Sequence, residues 1–227
     1  MLILGLTGGI ATGKSTVSKR LRDHYQIPVI DADVVAREVV EPGTPAYRGI
    51  VDYFESITPH LLNEDKTLNR GALGRTVFEN EQHRKKLNSI VHPAVRKSMA
   101  LQVLKAWLTG HSICVLDVPL LFESKLDRFC GTTIVVSCDD DKQLKRLLLR
   151  DKELTETDAK NRMASQMRVR DKAKLADIVI DNNGTIDELY LQVDEAINKV
   201  RPSKIKTLLT LLPPIGLLFA AISYFSR

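Results

Sequence analysis

Aromatic residues are scarce in this chain of 227 residues, where they make up 5% of the total. Proteins that hold single-stranded nucleic acid stack its bases on aromatic side chains, and this composition offers no such platform. Charge of one sign is not in large excess either, because 33 lysines and arginines stand against 28 aspartates and glutamates, interspersed along the chain. The net charge of +5 is therefore not large enough to indicate a nucleic-acid-binding protein. It suits a site for polyanionic phosphates, or a surface near anionic lipid.

Cysteine is also rare, and Cys114, Cys130 and Cys138 show no C-x-x-C spacing. Their odd number, and the apolar runs around two of them, predict buried, reduced thiols in a cytosolic compartment. The first apolar run is too short for a signal peptide and leads straight into a glycine-rich segment, so we expect no export. The Asn-Lys-x-Asp motif that reads guanine is absent from the sequence, which argues against a regulatory GTPase.

A complete phosphate-loop pattern, G-x-x-x-x-G-K-[ST], follows the apolar run 2–6 and precedes the helical pattern 17–21. In such a loop the main-chain N–H groups point at phosphate oxygens, the lysine reaches the β and γ phosphates, and the hydroxyl binds Mg²⁺. Lys14 and Ser15 would take these last two roles, and a helix beginning near Gly13 would add its positive end. The predicted nucleotide-binding residues are Gly8, Gly9, Ile10, Ala11, Thr12, Gly13, Lys14, Ser15 and Thr16.

Short β-type runs alternate with longer helical segments along most of the chain. The runs are 2–6, 28–30, 112–116, 132–137 and 178–180. This alternation predicts an α/β fold with a parallel sheet flanked by helices. Ligands of such sheets collect at the carboxyl ends of the strands. We therefore expect the residues that follow the strands, among them Gly8, Asp31, Asp117 and Asp181, to converge on one crevice.

Two helical stretches interrupt the alternation. The first, 41–110, contains a long run over 81–108 that Pro93 is expected to break or kink, and we interpret it as an inserted helical subdomain. The second, 140–174, is rich in arginine and lysine. Most of these charges are typical of a solvated helical face. One or two arginines would instead belong to a lid that closes over a transferring phosphoryl group.

The chain ends in a hydrophobic tail, 204–227, after a domain that covers 1–203. Between 207 and 225 its only ionisable side chain is Tyr224, and this length is about that needed to span a membrane. Pro213 and Pro214 argue against a straight helix. We predict a C-terminal membrane anchor that leaves the domain on the cytosolic side. The alternative is a tail that packs on the domain or lies at an interface.

Three acidic positions are candidates for catalysis. Asp33, just after the second strand, would accept a proton from an acceptor hydroxyl, or would simply cap the helix that follows. Asp117 follows the apolar run 112–116, a position typical of a carboxylate that helps to bind a metal ion. Glu123 follows an apolar turn, and its side chain would either bind the substrate or stabilise the fold.

Six strings of residues, in order over 1 to about 200, resemble the dephospho-CoA kinase family. They are 6–16, 31–33 with Ala36 and Arg37, 40–43, His92 with Pro93, 117–123 and 181–184. The resemblance implies a P-loop kinase-type core (1–40, 111–139 and 175–200), a CoA-binding helical part (41–110) and a lid (140–174). It also implies transfer of the γ phosphate of ATP to the 3′-hydroxyl of dephospho-CoA, the last step of coenzyme A synthesis.

The resemblance also implies roles for single residues. Asp33 corresponds to the general base, and the lid arginine that contacts the transferred phosphate corresponds to Arg146 or Arg150. The acceptor would be held by Arg37, His92 and Arg96, with Glu123 as a further candidate.

Two other functions stay open at this point: phosphorylation of another small metabolite, and an inactive membrane-anchored scaffold that binds nucleotides beside other enzymes of coenzyme A synthesis. The tail resembles that of membrane-attached eukaryotic members. It predicts the cytosolic face of the endoplasmic reticulum or of the mitochondrial outer membrane.

Overall fold

The computed structural model of the protein describes residues 1–202, and the predicted anchor at 204–227 lies outside them. Within the described part of the chain, no helix is both long and apolar enough to cross a membrane. The chain divides into two compact units. We call residues 1–30 together with 105–202 the core unit, and residues 31–104 the helical unit.

A five-stranded sheet forms the centre of the core unit. Its strands are β1 (Leu2–Gly8), β2 (Val29–Asp31), β3 (Ile113–Asp117), β4 (Thr132–Ser137) and β5 (Ile178–Asp181), in the order β2-β3-β1-β4-β5. β1 pairs in parallel with both β3 and β4, and β4 pairs in parallel with β5. The predicted parallel sheet is confirmed, and the loop after β1 emerges from its middle strand.

Nine α-helices lie within residues 1–202. They are α1 (Lys14–Asp23), α2 (Ala32–Glu38), α3 (Pro45–Phe54), α4 (Arg70–Glu79), α5 (Glu81–Leu108), α6 (Asp140–Arg150), α7 (Glu156–Ala164), α8 (Val169–Leu175) and α9 (Ile186–Val200). Several begin where a side chain satisfies the free N–H groups of the first turn. In α9, Thr185 and Glu188 form a reciprocal capping box.

The hydrophobic core of the core unit lies between the sheet and its helices. Leu4 and Val136 of the sheet are fully buried, and so are Val17 of α1 and Val193 of α9, all in one cluster. Burying such a side chain contributes about 1.5–3 kcal/mol relative to leaving it exposed. This packing holds α1, and with it the end of the phosphate loop, against the sheet.

The helical unit has a core of its own. Its buried members are Ile50, Phe54, Leu61, Leu68 and Leu73, and Ile90 and Val91 of α5 pack against them. α5 runs for 28 residues with Pro93 inside it, so the helix does not break there, contrary to one of the two outcomes expected. A proline removes one hydrogen bond from the helical ladder. The apolar contacts of α5 with this core, on the turn just before Pro93, help to keep the helix continuous.

The three cysteines are buried thiols, as predicted. Burial raises the pKa of the Cys114 thiol to about 12, so this side chain stays protonated and serves as a small apolar residue of β3.

Candidate functional site

The phosphate loop connects the middle strand of the sheet to α1. Gly13 precedes α1 with a φ of 94°, and no side chain of the described residues caps this helix. The first N–H groups of a helix have no partner inside the helix, and its dipole is positive at that end. The helix begins beside Gly13, as predicted, its start is open to an anion, and the Ser15 side chain is exposed there.

Hydrogen bonds from distant segments hold the tip of the loop. The main-chain carbonyl of Ile10 accepts a bond of 2.7 Å from Gln143 of α6, and its N–H donates one of 3.1 Å to Gln166, just before α8. Inside the loop, the Thr12 hydroxyl donates to the carbonyl of Gly9 at 2.9 Å. The N–H and the carbonyl of Ile10 are thus both fixed by the segment predicted to be the lid.

A third polar contact fixes the far end of the loop. Asn182, which follows β5, donates from its side-chain amide to the carbonyl of Thr12 at 2.7 Å. A Cβ atom at Gly13 would lie 2.1 Å from that amide nitrogen. Glycine is therefore required at this position both by its positive φ and by the close approach of Asn182.

Lys14 forms an ion pair with Asp117, at the carboxyl end of β3. The Asp117 side chain is 2% exposed and that of Lys14 is 17% exposed. Opposite charges at this burial attract each other more strongly than at a surface. The pair therefore holds the lysine at the edge of the sheet where the phosphate loop begins.

The two lid arginines differ in their surroundings. The Nη1 atom of Arg146 is buried and has no hydrogen-bond partner within residues 1–202. Arg146 also acts on Cys138: burial raises the pKa of this thiol, and the guanidinium opposes that rise. The side chain of Arg150 is instead 55% exposed and binds both oxygens of Asp151, at 2.9 and 3.1 Å.

Glu123 forms an ion pair of 2.9 Å with Lys172 of α8 and accepts a hydrogen bond of 3.1 Å from the N–H of Met167. Of the two roles considered for this glutamate, substrate or structure, these contacts favour structure.

Asp33 lies in the first turn of α2, in the helical unit. The N-cap of α2 is Asp31, whose carboxylate accepts from the N–H groups of Asp33 and Val34 at 2.9 and 3.2 Å. The alternative that Asp33 itself caps the helix is therefore wrong, because the helix begins at Ala32, two residues earlier than that alternative requires. Asp33 and Arg37 are both exposed and stand one helical turn apart.

His92 and Arg96 lie on α5 of the same unit, also one turn apart and both exposed. Their i, i+4 spacing places them on one face of the helix. The helical unit therefore offers two exposed polar pairs, one on α2 and one on α5.

Three residues that contact the loop were not among the predicted site residues: Gln143, Gln166 and Asn182. A signal existed for Asn182, because it follows a strand end and belongs to the string 181–184. Gln143 and Gln166 lie in the stretch 140–174, which is rich in polar residues, and nothing in the spacing sets them apart.

The chain is similar to known proteins over most of its length. A family model described as dephospho-CoA kinase matches residues 2–188. A dephospho-CoA kinase of Saccharomyces cerevisiae is 49% identical over 227 residues, which are 100% of this chain and 94% of the relative. One of Shouchella clausii is 50% identical over 196 residues, or 86% of this chain and 97% of the relative. A solved dephospho-CoA kinase structure from Campylobacter jejuni matches with a TM-score of 0.66 and 27% identity, covering 88% of this chain and 96% of that one.

Proposed function

Because the chain belongs to the dephospho-CoA kinase family, we propose that it phosphorylates the ribose 3′-hydroxyl of dephospho-CoA with ATP, giving coenzyme A and ADP. The observation that carries the chemistry is the uncapped start of α1 directly behind the phosphate loop. It supplies N–H groups and a positive dipole end to the phosphates of ATP. The product would complete the synthesis of coenzyme A.

Lys14 is the cation of the loop that serves the β and γ phosphates. In the structure its charge is balanced by Asp117. A polyphosphate carries more negative charge than one carboxylate, so we expect Lys14 to turn from Asp117 to the phosphates when ATP binds.

A magnesium ion fits the oxygen donors at this edge of the sheet. Ser15 offers an exposed hydroxyl and Asp117 a carboxylate, and Mg²⁺ is usually held by one or two such groups together with substrate phosphates. Within residues 1–202, no group of three or more His, Cys, Asp or Glu side chains is placed to hold a metal ion. When bound, the ion would neutralise charge on the β and γ phosphates.

Arg146 is the lid arginine that we assign to the transferred phosphoryl group. A buried guanidinium nitrogen without a partner is costly, and an anion would satisfy it. The guanidinium of Arg150, in contrast, already donates two hydrogen bonds to the carboxylate of Asp151. A charge held ready in a buried position stabilises the transition state without rearranging.

Asp33 is the general base in this mechanism. It takes the proton of the 3′-hydroxyl as that oxygen bonds to the γ phosphorus, and the bond between the γ phosphorus and the bridging oxygen of ADP breaks. Because Asp31 caps α2, the Asp33 carboxylate is not needed for the helix. Arg37, His92 and Arg96 would hold the anionic acceptor through their exposed polar groups.

An assay of the full chain in detergent tests the function. ATP would be offered with dephospho-CoA, phosphopantetheine and nucleosides in parallel, and transfer would be followed as ADP release. We expect turnover with dephospho-CoA alone. Turnover with another acceptor would favour a kinase of a different small metabolite, and ATP binding without any turnover would favour the inactive scaffold.

We also propose that residues 204–227 attach the enzyme to a membrane, with the catalytic part on the cytosolic face of the endoplasmic reticulum or of the mitochondrial outer membrane. Support comes from the composition of this tail and from the yeast relative, which aligns over the whole chain, whereas the bacterial one aligns over 86% of it. Fluorescent fusions with and without 204–227 test this. A diffuse signal from the intact chain would contradict the anchor.

A further inference from the structure

We propose that Lys172 is a positioning residue for the nucleotide site, a role that rests on the function proposed above. Its side chain is fully buried, with 0% exposure. The ammonium lies 2.9 Å from Oε1 of Glu123 and 2.6 Å from the main-chain carbonyl of Pro119. Lysine is almost never buried unless its charge is paired, so both contacts are needed to keep it there.

The contact of Lys172 with Pro119 acts on the segment that follows Asp117. The Pro119 carbonyl accepts a second hydrogen bond, of 2.9 Å, from the hydroxyl of Thr7 at the end of β1. Between Asp117 and Pro119, the N–H of Val118 donates to the carbonyl of Leu6 at 2.9 Å. The lysine and β1 therefore hold the segment just after Asp117 from two sides, close to the partner of Lys14.

The contact of Lys172 with Glu123 acts on the phosphate loop. Glu123, which is paired with Lys172, also accepts from the N–H of Met167. The neighbouring Gln166 accepts from the N–H of Ile10 at the tip of the loop. One buried ammonium thus connects the Asp117 segment with the residues that hold the loop.

Close packing between the loop and α8 adds to this connection. A Cβ atom at Gly9 would lie 2.5 Å from a methyl group of Val169, which starts α8 one turn before Lys172. Gly9 of the loop and Val169 at the start of α8 therefore pack so closely that no side chain fits between them. If Lys172 lost its charge, Glu123 and Pro119 would lose a shared partner, and both Asp117 and Ile10 would shift.

Substitution of Lys172 in the full chain tests this role. Lys172→Met removes the charge and keeps most of the apolar volume, whereas Lys172→Arg keeps a charge. Displacement of positioned groups by about 1 Å can reduce activity by as much as 10²-fold, and we expect Lys172→Met to weaken Mg·ATP binding and raise KM for ATP about tenfold. KM for dephospho-CoA should change less than about twofold, because the acceptor residues lie in the helical unit. Lys172→Arg should restore most of the ATP affinity.

Two further variants make the test decisive. Glu123→Gln keeps the shape of the partner and removes its charge, and it should weaken ATP binding in the same direction even if Lys172→Met fails to fold. Arg20→Met breaks another ion pair of the core unit, that with Asp194, and controls for general destabilisation. It should leave ATP affinity within about twofold of the wild type.

The proposal would be overturned if Lys172→Met or Glu123→Gln bound Mg·ATP as well as the wild type, or if Arg20→Met weakened binding equally. Calorimetry with Mg·ATP alone needs no acceptor. A wild-type protein that binds ATP but does not phosphorylate dephospho-CoA would therefore contradict the proposed function and leave the role of Lys172 to be judged separately.

Discussion

The side-chain amide of Asn182 donates a hydrogen bond of 2.7 Å to the main-chain carbonyl of Thr12, which joins the end of β5 to the phosphate loop across 170 residues of sequence. The same amide occupies the space that a Cβ atom at Gly13 would need. The loop therefore keeps its shape through a contact from the far end of the chain as well as through its own glycines.

Replacement of Gly13 by alanine should abolish measurable Mg·ATP binding. The substitution places Cβ 2.1 Å from Asn182 and forces a side chain to adopt a φ of 94°. Gly43→Ala is a matched control, because Gly43 has a φ of 91° but a Cβ atom there would meet nothing within 4 Å. Backbone strain of about 1–2 kcal/mol is expected in both variants. Calorimetric titration should show lost binding only in Gly13→Ala, and equal losses would contradict the role of Asn182.

Replacement of Asp33 by asparagine should lower kcat by about 10²- to 10⁴-fold, the usual contribution of a positioned base. Affinity for Mg·ATP should stay close to that of the wild type, because the amide keeps the shape of the side chain. Steady-state kinetics with dephospho-CoA, together with equilibrium ATP binding, measure both quantities. Asp31→Asn serves as the control, since asparagine also caps helices well. A normal kcat for Asp33→Asn would remove this residue from the role of base.

The two lid arginines should respond differently to alanine. We expect Arg146→Ala to lower kcat by about 10²- to 10³-fold, because it removes a preorganised donor to the transferring phosphoryl group. Arg150→Ala should lower kcat by less than about tenfold, since its guanidinium is engaged by Asp151. Comparison of the two variants at saturating ATP decides between them. Equal losses, or a larger loss for Arg150, would reverse the assignment.

The ion pair between α1 and α9 should make stability depend on pH. Hydrogen bonds from the Arg20 guanidinium, at 2.9 and 2.7 Å, lower the pKa of Asp194 below its ordinary value of 3.8, and the Tyr25 hydroxyl adds to this at 2.7 Å. Because the unfolded state binds this proton more readily, the stabilisation is complete above pH 3.8 and is lost as the pH falls through the lower folded-state pKa.

Asp194→Asn should therefore reduce the free energy of unfolding by about 1–2 kcal/mol at neutral pH. Urea unfolding at several pH values should show this difference shrink in acid. Glu156→Gln is the control, because its pair with Lys160 is 62% exposed on both sides and an exposed pair contributes little. A difference that grew towards low pH would contradict the assignment.

Periodicity and turn chemistry were sufficient to predict much of the fold. The five strands, the helices between them and the phosphate loop follow from local patterns, since a buried parallel strand and an amphipathic helix each leave a period in the sequence. A break at Pro93, one of the two outcomes expected, does not occur, because a single lost hydrogen bond weighs less than the packing of Ile90 and Val91 along the same helix.

The sequence alone predicted a nucleotide site at residues 8–16 and identified the chain as a member of the dephospho-CoA kinase family, because the loop and the other motifs are local strings. The tertiary structure decided which residues hold the loop in place. Gln143, Gln166 and Asn182 lie 133, 156 and 170 residues from the loop residues that they contact, and only the folded chain brings them to the same edge of the sheet. The structure also distinguished Arg146 from Arg150. The burial and the ion pairing of a side chain depend on what packs around it, and they cannot be inferred from the spacing of charges along the sequence.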